Sequence, residues 1–437
     1  MITYHQQGDS LTLNLAARAI SPFNAAFHRE LKAAVERIEA APLLQVVLAI
    51  DGGADGADHP AQHEELEQLL ALAPEQAADC MRTLADYNAL LRRLDLLNKP
   101  LIAILSGAVE GHALGLALAC HHRVALADAS IALPQIKLGL APVAGELARA
   151  VRLSGLQAAM PLLVEGKALG AAQALEAGLL HDVAADAAAL AEQLAALLAN
   201  GAAAGQPWDA KGYRLPGGAL NSAPLQTLLQ VAPAMLRQRT RGHYPAPEAV
   251  LCAMVEGLQV DFDNALLIES RYFCQCALDA VAKNLIRLSR IPAAPSAQAE
   301  QFAATLRLAY LDELALLRAE GLPAALLRHA AMAAGLAQLP PEEAPAPAAK
   351  ASAADVEQAR DRLLYAQALA ALRGVDTLLA GDVDQADRIS VRDCGFPAHS
   401  GGALRFIATL GASRFAARAA QLGERFALAP GWKNLIH

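Results

Sequence analysis

The stretch that decides the fold runs from Lys99 to Gly155: KPLIAILSGAVEGHALGLALACHHRVALADASIALPQIKLGLAPVAGELARAVRLSG. After Lys99-Pro100 the apolar run LIAIL reads as a buried strand, and Ser106-Gly107 turns the chain. A small-residue segment, Gly111 to Gly115, opens the apolar helix LGLALACHH. A second strand-like run follows, then Pro134-Gln135 and the turn Gly139-Leu-Ala-Pro142. The segment MPLLVEGKALGAAQALEAGLLHDV completes the region at Val183.

Working outward, the N-terminal MITYHQQGDSLTLNL alternates like a strand, with Leu11, Leu13 and Leu15 on one face. Ser21 to Ala41 predicts an amphipathic helix carrying Phe23, Phe27, Leu31, Ala34 and Ile38 at helical spacing. Leu44 to Ile50 predicts a buried strand, Asp51 to His59 (DGGADGADH) a loop, and Glu64 to Leu97 a long helical stretch. Strands alternating with helices imply crossover units and an α/β core.

A chain of 437 residues holds two or three domains. With 55% hydrophobic but only 4% aromatic residues, its core is built from Ala, Leu and Val, which favours helices. The net charge is −8 and there is no long basic run, which argues against a nucleic-acid partner. The six cysteines (Cys80, Cys120, Cys252, Cys274, Cys276, Cys394) are scattered without paired zinc spacing and read as reduced thiols. No metal site is expected. Neither a secretory leader nor an 18-residue apolar run is visible, so a soluble, cytoplasmic protein without a membrane partner is expected.

In its order of strands, turns and helices, residues 99–183 resemble the crotonase (enoyl-CoA hydratase/isomerase) superfamily. The resemblance implies a spiral of β-β-α turns forming a mixed sheet layered against helices, with an acyl-CoA thioester as ligand. It also implies an oxyanion hole of two backbone N–H groups. One would come from the Gly-Ala-Asp after the third strand, where Ala57 is the candidate and Ala54 the alternative. The other would be the N–H of His112, in Gly111-His112-Ala113, where the family usually carries three glycines. Unpaired amides at a helix start meet an anion, here the thioester oxygen as enolate charge builds on it.

The two carboxylates that hydratases of this family use are absent. Their positions are Gly115 and Gln135. Neither exchanges protons near neutral pH, and losing one such group costs on the order of 10²–10⁴ in rate. Glu146, at the start of the helix ELARAVRLSG, and Glu110, just before the donor turn, are the candidate replacements, with the His112 ring a third. A Glu in a first helical turn also serves as a surface charge that offsets the helix dipole, and a His in a glycine slot also serves as packing.

The phrases from Gln206 to Arg290 resemble the bridge of multifunctional fatty-acid oxidation α-subunits, which join a hydratase to a 3-hydroxyacyl-CoA dehydrogenase. Residues 302–437, with their Gly-Phe-Pro…Gly-Gly turn, resemble the helical C-terminal domain of those dehydrogenases. No G-x-G-x-x-G follows a strand, so the NAD-binding domain is missing and no NAD is expected. The expected organisation is a crotonase-like domain over 1–200, a helical bridge over 201–290, a linker over 291–301, and an all-α region over 302–437 with a Pro/Ala spacer at 340–354.

Two classes of function follow. One is an enzyme of non-standard chemistry on acyl-CoA, an isomerase or hydrolase, with no cofactor beyond the CoA of its substrate; residual hydratase activity is a variant of it. The other is a non-catalytic acyl-CoA-binding or assembly subunit, in a homo-oligomer or beside a thiolase-type partner.

Overall fold

The computed structural model describes residues 2–41, 45–53, 60–341 and 352–435. The chain forms two compact units: Met1–Arg237 with Pro245–Asp279, and Gln238–Tyr244 with Ala280–His437. The stretch expected as a bridge is thus divided between them.

The first unit opens with an antiparallel hairpin, β1 (Ile2–Gln7) and β2 (Ser10–Ala16). The N-terminus expected as one alternating run is therefore two strands, turned at Gly8, whose φ of 56° suits glycine. Next come β3 (Gln45–Asp51), β4 (Leu101–Ser106), β5 (Ala108–Glu110), β6 (His122–Leu126), β7 (Ser130–Ala132), β8 (Leu169–Gly170) and β9 (Asp182–Ala184). The main sheet has the order β1-β2-β3-β4-β6-β9, parallel from β2 onward, and a small sheet has the order β5-β7-β8. This is the expected spiral. Leu11, Leu13 and Leu15 lie buried on one face of β2.

Helix α1 (Ala25–Ala40) begins after Asn24, whose side chain accepts the Ala26 and Phe27 N–H groups. Phe23 therefore precedes the helix. The predicted run from Glu64 to Leu97 is two helices, α2 (Pro60–Ala71) and α3 (Ala77–Asp95). Pro74 lies between them, and its ring and missing N–H bar a continuous helix. The unit continues with α4 (His112–Leu118), α5 (Glu146–Ser154), α6 (Leu156–Leu163), α7 (Ala171–Glu176), α8 (Ala187–Ala199), α9 (Ala223–Thr240), α10 (Ala246–Gly257) and α11 (Phe262–Leu278). α11 packs on α3, α5 and α10.

A polar knot ties α11 down. The Phe262 ring stacks on Trp208 at 4.8 Å and lies 4.9–5.3 Å from the guanidinium carbons of Arg92, Arg149 and Arg152. Arg149 is fully buried and pairs with the equally buried Asp95 at 2.6 Å.

The second unit has no strand among its described residues. It comprises α12 (Ala280–Arg290), α13 (Ala297–Ala319), α14 (Ala324–Ala334), α15 (Ala353–Leu379), α16 (Val383–Arg392), α17 (Ala403–Leu410) and α18 (Ala412–Leu422). The predicted linker is shorter than expected, because α13 starts at Ala297 with Ser296 as its cap. The core gathers Phe302, Leu306, Tyr310, Leu363, Tyr365 and Phe415, the last two stacked at 4.4 Å. Most of the expected Pro/Ala spacer, 342–351, lies outside the described residues. Among the described residues, no helix is long and apolar enough to cross a membrane.

Candidate functional site

The site is built on a turn that strands and glycines force into place. Before α5 the backbone passes through two consecutive left-handed residues, Ala144 at φ 62° and Gly145 at φ 80°. A Cβ on Gly145 would lie 1.6 Å from Arg149 Nη1, and the left-handed φ strains any residue but glycine. Ala144 carries real strain, a feature that clusters at functional sites. No side chain at the N-cap position satisfies the start of α5. Instead Glu146 folds back to accept the Val143 N–H at 3.1 Å. From α11, Glu269 accepts the Gly145 N–H at 2.6 Å and the Ala148 N–H at 2.8 Å.

Glu146 is the hub of a buried chain of hydrogen bonds. Its Oε1 meets His112 Nδ1 at 2.6 Å, and its Oε2 accepts from Gln135 Nε2 at 2.8 Å. His112 Nε2 meets Glu65 Oε1 at 3.0 Å, and Ser21 Oγ donates to Glu65 Oε2 at 2.6 Å. Exposure is 0% for Glu146, 7% for His112 and 9% for Gln135. The Glu65 side chain, at 14%, is the part nearest solvent.

The charges follow from this geometry. Burial alone would lower the His112 pKa, but Glu65 and Glu146 on either side outweigh it and hold the ring well above its ordinary value. The protonated ring then donates from both nitrogens. Burial would raise Glu65, yet the His112 charge and the bonds from His112 and Ser21 bring it below the usual carboxylate range. Burial raises Glu146, and the His112 charge, the His112 hydrogen bond and the Val143 amide offset this only in part. The cluster thus holds one firmly ionised carboxylate, one imidazolium and one carboxyl that titrates upward of its ordinary range.

Gly115 is explained by the same cluster. A Cβ there would lie 2.8 Å from Glu146 Cγ and 3.6 Å from Glu146 Oε1. Gln135 reaches the same carboxylate from the other side. Glu146 therefore occupies the space into which residue 115 would project, beside residue 135. His112 begins α4 directly after Gly111, whose φ is 56°. Glu110 ends β5 and is exposed, outside the buried cluster. Ala54 and Ala57 lie outside the described residues, just beyond Gly53.

Three residues of the site escaped the sequence reading: Glu65, Glu269 and Tyr87. The Tyr87 hydroxyl, fully buried on α3, has no hydrogen-bond partner among the described residues. Burial raises its pKa, and the Glu146 and Glu65 charges add to the rise. Gln135 Oε1 is likewise buried without a partner. At the C-terminal end of α2 and the start of α3 lies a groove of about 300 Å³, lined by Phe23, Gln68, Leu69, Leu72, Cys80 and Thr83 among others. Chemically, the arrangement offers one carboxylate–imidazole couple able to take up and return a proton. The neighbouring amide of Gln135 does not exchange protons.

Residues 11–206 match the family described as enoyl-CoA hydratase/isomerase. The chain is also similar to the fatty acid oxidation complex subunit alpha of Shewanella loihica, 28% identical over 271 residues. That match covers 60% of this chain but only 36% of the relative, so the chain spans well under half the relative's length. Similar solved structures include an enoyl-CoA hydratase from Rhodobacter sphaeroides 2.4.1, at 19% identity and a TM-score of 0.48, covering 66% of this chain and 89% of that one. An enoyl-CoA hydratase/carnithine racemase from Magnetospirillum magneticum is 27% identical at a TM-score of 0.39, over 46% and 73% of the two chains.

Proposed function

We propose that the chain, whose residues 11–206 match the enoyl-CoA hydratase/isomerase family, is an acyl-CoA isomerase with Glu146 as its acid–base group. The observation that carries the reading is the place of the Glu146 carboxylate. It lies where a side chain on Gly115 would project and is hydrogen-bonded to Gln135 and His112. Hydration needs one group for the water and another for the α-carbon, whereas a double-bond shift needs only one.

In this reading ionised Glu146 removes a proton from C2 of a 3-enoyl thioester, and the electron pair moves through the dienolate onto the thioester oxygen. The His112 N–H, with an N–H from Ala57 or Ala54, holds that oxygen. The protonated Glu146 then returns the proton at C4, leaving the 2-enoyl thioester. His112, clamped between Glu65 and Glu146, fixes the carboxylate in one orientation. The groove beside α2 holds the acyl chain, and its volume of about 300 Å³ lies at the lower end of small-molecule sites.

A second reading is a non-catalytic acyl-CoA-binding or assembly subunit of a β-oxidation-type complex. It is favoured by the complete burial of Glu146, both of whose oxygens are already bonded. Incubation with 2-enoyl, 3-enoyl, 3-hydroxy and 3-oxo thioesters, with products separated by chromatography, decides between them. The isomerase reading expects 3-enoyl to become 2-enoyl, and the conversion to vanish in Glu146→Gln. Thioester binding measured by calorimetry, with no conversion of any substrate, would transfer the assignment to the second reading.

A further inference from the structure

Glu269 sits on α11 with 1% exposure, and both of its oxygens are engaged by backbone amides of a different element. One of those amides belongs to Gly145, in the left-handed pair that precedes Glu146. We infer that Glu269 is a positioning residue for Glu146: it caps α5 from outside, fixes the Ala144-Gly145 turn, and thereby sets where the Glu146 carboxylate points and what charge it faces. The inference rests on the reading of Glu146 as the acid–base group.

The start of α5 has no other side-chain cap on its own element, and Glu146 reaches back only to Val143. Without Glu269, two amides of that turn lose their acceptor inside the protein, and a strained conformation loses its tether. Among the described residues no ion pair reaches Glu269, and the Arg149 charge only partly offsets its burial. The charged groups around it are Glu146, Arg149 and Arg152, all on α5. Arg149 is committed to Asp95, and Arg152 donates to the carbonyls of Ala148, Gly257 and Val260. α3 contributes the neutral Asn88, which donates to the neighbouring Ser270. α10 sends Glu256 to Arg271 and Tyr272 instead.

Burial pushes the Glu269 carboxyl up to about 8, against the pull of its two amides, and the Glu146 charge adds to the rise. As pH passes that value, a second negative charge arrives at the start of α5. The Glu146–His112 couple registers it.

The test is a nitrogen NMR titration of the His112 ring in the full chain. A step in the ring shifts with a midpoint near pH 8 is expected in the wild type and is expected to vanish in Glu269→Gln, which keeps the shape but cannot ionise. In the same variant kcat is expected to fall about tenfold, the size of one lost hydrogen bond, with KM within about twofold. A wild-type ring with no step near pH 8, or a step that persists in Glu269→Gln, overturns the inference whatever the turnover. A chain that converts no thioester sinks the acid–base reading alone, and the titration still decides the role of Glu269. If Glu269→Gln does not fold, Glu269→Asp, one methylene shorter, is expected to move the step. A step left unmoved contradicts the inference.

Discussion

α5 in the first unit and α17 in the second both follow a glycine of positive φ, Gly145 at 80° and Gly402 at 114°. Both take their cap from a buried carboxylate on another helix. Glu269 accepts the Gly145 and Ala148 amides, and Asp387 of α16 accepts the Leu404 and Arg405 amides at 2.8 and 3.1 Å. In each case the glycine makes room: a Cβ on Gly145 would strike Arg149, and one on Gly402 would lie 2.4 Å from Asp387 Cβ. The difference is charge balance. Asp387 is paired with Arg287 at 2.5 Å, whereas among the described residues no ion pair reaches Glu269. One start is neutralised and structural. The other keeps two buried acids near one helix end, Glu269 without an ion pair and Glu146 paired with the His112 ring. Sites of acid–base chemistry concentrate buried titratable groups of this kind.

The largest effect that sharpens this contrast is in the second unit. Asp387→Ala takes one of two carboxylates from Arg287, which keeps Asp384 and the Gly401 carbonyl, and orphans two amides as well, and is expected to cost about 3 kcal/mol. Glu269→Ala loses the amides without breaking an ion pair among the described residues, and about 1–3 kcal/mol is expected. Equilibrium denaturation of the two variants measures both, and equal losses would erase the distinction.

Next in size is Gly115→Ala. Its Cβ meets Glu146 Cγ at 2.8 Å, so overpacking of about 1–3 kcal/mol is expected. In a Glu146→Ala background the penalty is expected to shrink, because the space is then free. A double-mutant cycle with no coupling would mean that Glu146 does not fill that space.

The last effect is a slope, modest over any single pH unit. Glu269 binds its proton more tightly folded, at about 8, than unfolded, at roughly 4.3. Its contribution to stability is therefore complete at low pH and lost as pH rises between those values, by up to about 1.4 kcal/mol per pH unit. Melting temperature against pH is expected to fall less steeply over that window in Glu269→Gln than in the wild type. His112, also raised, adds stability that disappears only as pH climbs through its own elevated value.

The parts of this account legible in the sequence are those carried by local pattern. LIAIL and the glycines between Ser106 and Gly145 spell out the strand–turn–helix order because buried parallel strands need continuous apolar runs and tight turns need glycine. Glu146 stood out because it starts the helix ELARAVRLSG after the Gly139–Pro142 turn. Its partners did not. Glu65 is one of several acids on α2, 47 positions before His112, and nothing local tells which acid turns inward. Glu269 left a trace: it interrupts the buried stripe of Phe262, Ala265, Leu266 and Phe273 at helical spacing. An acid on such a stripe calls for buried donors, yet the amides that receive it lie more than a hundred residues away.

The most direct measurement is solvent deuterium incorporation. The full chain is incubated with a 3-enoyl-CoA thioester in heavy water, and the label in substrate and product is read by mass spectrometry. Deuterium entry with double-bond migration, falling on the order of 10²–10⁴-fold in Glu146→Gln while thioester affinity holds, is the expected result. Label entering equally fast in wild type and Glu146→Gln would contradict the assignment of Glu146 as the acid–base group.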